Sequence, residues 1–162
     1  RLMQRPAPVP ALVFGLSVAA LAGALTTQYA LGFAPCVLCL WQRVPYVLTL
    51  ALGAYALGPW HSPSSRRLAL GLAGLVFLAG AGIALYHSGV EARWWAGSDG
   101  CTANLSEATS VEELRQRLMA APTVRCDEVP FRVLGLSMAG WNALLSPLFA
   151  LLACFGAKKQ AP

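Results

Sequence analysis

The sequence predicts an all-α membrane protein, a four-transmembrane-helix bundle with a long non-cytoplasmic loop between helices 3 and 4. Three observations predict it. Hydrophobic residues make up 57% of the chain and charged residues only 12%, against roughly 25% charged in an average soluble domain. The apolar residues gather into four charge-poor stretches, each close to the ~20 residues that carry a helix across a bilayer. The acidic residues are confined to one of the connections, and the connections on the other side carry basic residues only. The formal charge of +5 does not signal nucleic acid, because the basic residues form no run interleaved with aromatics.

Residues 1–162 read as one membrane domain. Its first span, about 11–29, follows an arm containing Arg1 and Arg5, and no charge appears between Arg5 and Arg43. Ala22-Gly23-Ala24 after a basic start also resembles a signal-peptide cleavage site, but the apolar stretch runs past it and three further candidate spans follow. The second span, about 40–57, and the third, about 68–86, are joined by a short hairpin connection, Gly58 to Arg67, with Pro59, His61 and Pro63. The fourth, about 140–157, lies in the uncharged stretch between Arg132 and Lys158, and Pro147 is expected to kink it. The outer connections are then about 30–39 and 88–139.

Four spans return both termini to one side. Arg1, Arg5, Arg66, Arg67, Lys158 and Lys159 all fall on that side, which by the positive-inside tendency is cytoplasmic. All seven acidic residues, Glu91, Asp99, Glu107, Glu112, Glu113, Asp127 and Glu128, fall in the long loop opposite. Trp41, Trp94, Trp95 and Trp141 near the outer span ends, and Trp60 near an inner one, suit interfacial belts or packing between helices equally well. Within the loop, Ser110-Val111-Glu112-Glu113 has the capping-box form. The helix it starts, Val111 to about Ala120, carries Val111, Leu114 and Leu118 on one face, to lie on the membrane surface or to pack on the bundle.

Cys36, Cys39, Cys101 and Cys126 lie on the non-cytoplasmic side, where disulfides persist, while Cys154 lies near the cytoplasmic end of the last span and reads as a small apolar residue. The outer four admit three readings: structural disulfides, a zinc site or a redox relay. Structural zinc usually takes two closely spaced ligand pairs, and Cys101 and Cys126 are far apart, so no metal is expected. A Cys-x-x-Cys disulfide closes too short a loop to stabilise a fold much, so that pair is better explained by chemistry.

Pro35-Cys36-Val37-Leu38-Cys39-Leu40-Trp41-Gln42-Arg43, Tyr86-His87 closing the third span, the paired loop cysteines, Arg125-Cys126-Asp127 and Gly135-Leu136-Ser137-Met138-Ala139-Gly140-Trp141-Asn142 together resemble the DsbB family of disulfide bond formation proteins, over the whole chain. The resemblance implies a bacterial inner-membrane enzyme with both termini cytoplasmic and the cysteine loops periplasmic. Such an enzyme reoxidises a DsbA-like thioredoxin-fold protein and passes the electrons to a membrane quinone, ubiquinone or menaquinone. A DsbA-like partner near about −120 mV cannot be oxidised by an ordinary structural disulfide below about −300 mV, a step uphill by about 8 kcal/mol, so an acceptor must pull.

The same resemblance implies that Cys36, Cys39, Cys101 and Cys126 are catalytic, with Cys101 attacked by the partner and the freed Cys126 exchanging with Cys36. Cys39, at the start of a helix whose dipole favours a negative sulfur, is then the thiolate facing the quinone. Arg43, at i+4 from Cys39, and His87 are the expected quinone-binding residues; a snorkelling arginine and a surface histidine are the plainer readings. His61 falls on the opposite side and receives no role. Two other classes fit less well. A vitamin K epoxide reductase-like enzyme shares the cysteine logic but not the placement of the vicinal pair ahead of the loop pair, and a non-enzymatic four-span protein would merely be cross-linked.

Overall fold

The computed structural model describes residues 8–59, 61–98, 101, 108–120 and 124–159. Arg1, Arg5, Trp60, Asp99 and Glu107 lie outside the described residues. Among the described residues the chain is helical, with α1 (Pro8–Tyr29), α2 (Val37–Trp41), α3 (Arg43–Leu57), α4 (Pro63–Glu91), α5 (Val111–Ala120) and α6 (Met138–Lys159). Four stretches are long and apolar enough to cross a membrane: α1, α2 with α3, α4 and α6. The helices pack in the order α1, α3, α4, α6, with α1 and α6 touching only lightly.

Three boundaries differ from those read in the sequence. The connection between α3 and α4 is shorter than Gly58 to Arg67, because Ser62 caps α4, its hydroxyl accepting from Ser65 N–H at 3.2 Å, and Pro63 opens the first turn. Arg66 and Arg67 therefore belong to that first turn, and Arg66 donates to the Gly58 carbonyl at 2.7 Å. At its other end α4 does not stop at Tyr86-His87 but runs one more turn to Glu91, which carries a carboxylate into the cysteine end of the bundle. The second span starts at Val37 rather than Leu40, as the short α2, and α3 follows after Gln42. α6 continues through Pro147 to Lys159.

The core of the bundle is made of small residues. Ala56, Ala69, Ala73, Ala150, Ala153 and Ala157 surround Val13, Leu70 and Phe77, and Phe77 meets Tyr46 and Phe149 edge-on at 5.9 and 5.6 Å. Small side chains let helix backbones approach closely, which is how helices gain dispersion energy where lipid is as apolar as leucine. Gly53 is the tightest example, since a Cβ there would stand 2.9 Å from the backbone nitrogen of Phe14 on α1. Beside it the Ser17 and Thr49 hydroxyls, both fully buried, lie 2.8 Å apart. Other large residues point outward, Leu75 and Phe155 being more than half exposed, as a lipid-facing surface requires.

The loop helix α5 keeps its expected cap, with Ser110 Oγ accepting from Glu113 N–H at 3.1 Å. The Glu113 carboxylate reaches back to Thr109, bonding its N–H at 3.0 Å and its hydroxyl at 2.8 Å, rather than to Ser110. Val111 is 84% exposed and Leu118 53%, so the apolar stripe of α5 is not packed on the bundle.

Candidate active site

The site is built where α2 begins. Cys36 is the N-cap residue of α2, its sulfur accepting from Cys39 N–H at 3.2 Å. This local bond brings the Cys39 sulfur to 2.7 Å from that of Cys36. Their hydrogen bond, together with burial, pushes the Cys36 thiol up, so Cys36 keeps its proton and offers it to Cys39.

The loop pair sits directly on the vicinal pair. Cys101 and Cys126 form a disulfide and are fully buried, with Cys126 N–H donating to the Cys101 carbonyl at 2.8 Å. Cys36 Sγ, Cys126 Sγ and a His87 ring nitrogen all lie within 4.8 Å of one another. Cys36, Val90, Cys101 and Cys126 pack as one small buried cluster. Two cysteine pairs far apart in sequence are thus brought together in one buried cluster.

His87 stands at the centre of a buried polar chain. Its Nε2 lies 3.6 Å from Cys36 Sγ, 3.3 Å from the Cys126 carbonyl oxygen and 3.8 Å from Glu91 Oε1. Its Nδ1 meets Gln42 Nε2 at 2.6 Å. Gln42 Oε1 accepts from Asn142 Nδ2 at 2.5 Å, and Asn142 Oδ1 accepts from the Tyr46 and Ser146 hydroxyls at 2.5 and 2.7 Å. Glu91 accepts in turn from Ser137 Oγ, the residue whose hydroxyl caps α6 through Gly140 N–H at 3.0 Å. A two-residue turn at Leu134 and Gly135, both at positive φ, precedes Ser137 and sets it in place. Hydrogen-bonding every polar group offsets the cost of burying them in the bundle.

A cavity of about 260 Å³ opens beside Cys39. Ala20, Leu21 and Leu145 give it an apolar wall, and Cys39, Gln42 and Arg43 a polar end. His87, Glu91 and Asn142 also line it, and a planar apolar ring bearing carbonyl oxygens, the chemistry of a quinone head, fits an apolar wall facing hydrogen-bond donors next to a thiol pair. Arg43 reaches the cavity, but its hydrogen bonds run to α1, Nη1 to Gln28 Oε1 at 2.6 Å and Nη2 to the Ala24 carbonyl at 3.4 Å, not to Cys39. A guanidinium has five N–H donors, so others are left for a ligand.

The structure therefore brings together Cys36, Cys39, Cys101, Cys126, Arg43 and His87. It keeps Cys154 apart, packed against Gly74, and His61 stacked on Tyr55 at 3.8 Å. Sequence reasoning gave no role to Gln42, Glu91 or Asn142. Gln42 and Asn142 did carry a signal, as amides inside apolar spans, where a polar residue has to face a partner. Glu91 carried none, because nothing in the chain distinguishes it from the other loop carboxylates until α4 is seen to continue.

A protein-family model described as Disulfide bond formation protein DsbB matches residues 6–156. Disulfide bond formation protein B of Xanthomonas campestris pv. campestris strain 8004 is 35% identical over 88% of this chain and 85% of its own length. That of Chromohalobacter salexigens is 30% identical over 75% and 72%, and that of Neisseria meningitidis serogroup A is 44% identical over 42% and 40%. No solved structure matches the chain. Against this agreement the vitamin K epoxide reductase-like and non-enzymatic readings fall away. The match spans nearly the whole chain, the named relatives share it at these identities, and the cysteine pairs meet as thiol exchange requires, so the chain belongs to the DsbB family and is a bacterial membrane disulfide oxidoreductase.

Proposed function

We propose that this protein reoxidises a DsbA-like thioredoxin-fold partner through Cys101, Cys126, Cys36 and Cys39, using a membrane quinone bound beside Cys39 as acceptor. The observation that carries the reading is the meeting of Cys36 and Cys126 sulfurs with His87 within 4.8 Å. The partner's thiolate attacks Cys101, forming a mixed disulfide and releasing Cys126 as a thiolate. Cys126 attacks Cys36 of the closed vicinal pair, so the Cys36–Cys126 bond forms and Cys39 leaves as a thiolate. The partner's second thiol resolves the mixed disulfide and frees Cys101, which attacks Cys126 and restores the loop disulfide. Two electrons then rest on Cys36 and Cys39, with Cys36 donating its proton toward the Cys39 sulfur.

Arg43 and the apolar wall would hold the quinone head, and His87 would steady the sulfur pair next to it. When bound, the quinone supplies a two-electron, two-proton acceptor. Arg66 and Arg67 at the start of α4 and Lys158 and Lys159 at the end of α6 support a cytoplasmic placement for that end of a single membrane domain, with the cysteine end periplasmic.

The test is quinone absorbance over time with purified protein in detergent and a reduced DsbA-like donor, run with ubiquinone and with menaquinone. Catalytic loss that disappears in Cys36→Ser is expected. No loss with either quinone in folded protein would overturn the reading.

A further inference from the structure

The geometry points to Gln42, oriented by Asn142, as a positioning residue that fixes His87 in its Nε2-protonated tautomer, so that the imidazole is a hydrogen-bond donor to the Cys36 sulfur and not a base. The inference rests on the thiol-exchange reading above for its consequence, but the tautomer itself is read without turnover.

Two ends of the polar chain constrain the proton independently. At the far end, Asn142 meets two hydroxyls, of Tyr46 and Ser146. A phenol is a strong donor and a weak acceptor because its ring withdraws the oxygen lone pair, and Tyr46 meets Asn142 at 2.5 Å but the Ser146 hydroxyl only at 3.1 Å, so its proton goes to Asn142 and assigns the amide oxygen to that side. Asn142 then presents its NH₂ to Gln42, Gln42 accepts through Oε1, and its own NH₂ faces His87 Nδ1. A nitrogen that accepts from an amide NH₂ is bare, and in a neutral imidazole the proton then sits on Nε2.

At the near end, Nε2 faces the Cys126 carbonyl oxygen at 3.3 Å, the Glu91 carboxylate at 3.8 Å and the Cys36 sulfur at 3.6 Å. All three accept. A bare Nε2 would set acceptor against acceptor in a buried site, where unpaired polar contacts are costly. Reversing the amides would therefore be opposed at both ends.

The consequence concerns the exchange between the pairs. As Cys126 attacks Cys36, negative charge spreads over the three sulfurs in line, and an N–H already aimed at the central sulfur stabilises it without reorganisation. The same N–H tethers the Cys126 backbone, holding the two sulfurs within reach. In the reduced pair it completes a one-way donor sequence, from His87 N–H to Cys36 and from the Cys36 thiol to Cys39, which leaves Cys39 as the anionic sulfur beside the cavity.

The chain contains two histidines, so ¹⁵N-histidine NMR of this intact chain in micelles, with His61→Gln to remove one signal, reads His87 alone. A bare Nδ1 and a protonated Nε2 are expected in that protein, and protonation of Nδ1 is expected in Gln42→Glu, where a carboxylate replaces the amide donor. Asn142→Leu, which frees Gln42 to turn, is expected to give a mixture of tautomers. In Asn142→Leu, where part of the population turns a bare Nε2 toward Cys36, the Cys126-to-Cys36 exchange should slow, up to the about tenfold size of one lost hydrogen bond. A protonated Nδ1 in the His61→Gln protein, or a pattern unchanged in either variant, would overturn the inference. If the tautomer is as expected but quinone turnover is absent, the activity reading fails and this one stands.

Discussion

The two ends of this bundle are packed by opposite means. At the end holding Arg66 and Lys159, Ala69, Ala73, Ala153 and Ala157 close the helices by small, dry contacts, and the Ser17–Thr49 pair is an isolated polar clasp. At the end holding the cysteines, the interior is a continuous polar chain from Ser146 through Asn142, Gln42 and His87 to Cys36. Dispersion between small residues supplies stability in a lipid-surrounded bundle, whereas buried polar groups cost stability unless every one is paired. The contrast teaches that the first end keeps the helices together and the second spends part of that stability on holding sulfurs and their proton donors in place.

The contrast breaks most sharply at Cys39. Replacing it with serine should lower quinone reduction by about a thousandfold or more, as loss of a covalent participant does, while leaving the unfolding midpoint in denaturing detergent unchanged. Quinone turnover that survives in Cys39→Ser would remove this residue from its assigned place. The reverse outcome is expected at Gly53, where valine would force its side chain into the Phe14 backbone. Gly53→Val should cost about 2–3 kcal/mol of stability in the same unfolding assay, with the folded fraction turning over normally.

Arg43→Ala is a smaller test within the polar end. The quinone concentration giving half-maximal rate should rise about tenfold, the size of a lost charge-assisted contact, with little change in the rate of attack on Cys101 by the partner. An effect confined to the partner step would contradict the placement of Arg43 at the cavity. Cys154→Ala, against Gly74 at the dry end, should change stability by less than about 1 kcal/mol and leave activity intact. Lost activity would mean the dry end takes part in the chemistry.

The smallest effect lies outside both ends, in α5. Bonds from the Thr109 N–H, the Arg117 guanidinium and the Thr109 hydroxyl hold the Glu113 carboxyl down, from 4.5 to about 2. A depressed folded value means the stabilisation is present above pH 4.5 and is lost as pH falls toward 2. Amide protection factors along α5 should therefore drop across that window while those of α4 and α6 hold, and equal loss in all three helices would show that α5 is not an independent unit.

Much of this was legible in the chain because membrane helices are written in composition. Four charge-poor stretches, the confinement of acidic residues to one loop and the capping box at Ser110 are local signals, and the helices form where those signals lie. The ends of the helices were less legible. Stopping the third span at His87 missed Glu91, because a helix can continue past the apolar stretch when its last turn docks on a loop residue such as Ser137. Arg43 stands one turn from Cys39, as the spacing implies, and the backbone stays helical through Gln42, but the guanidinium is drawn to Gln28 on α1.

By itself, then, the sequence determined the class of the protein, its four spans, the grouping of Cys36, Cys39, Cys101 and Cys126 apart from Cys154, and the family to which it belongs. These follow from the cost of unpaired backbone and charge in lipid and from short-range motifs, which neighbouring residues settle among themselves. Tertiary structure alone decided that Cys36 meets Cys126, that His87 binds Gln42 through one nitrogen and faces three acceptors through the other, and that Glu91 and Asn142 join the site. Those are contacts between α2, α3, α4, α6 and the loop, and they depend on how helices far apart in the chain rotate and pack against one another.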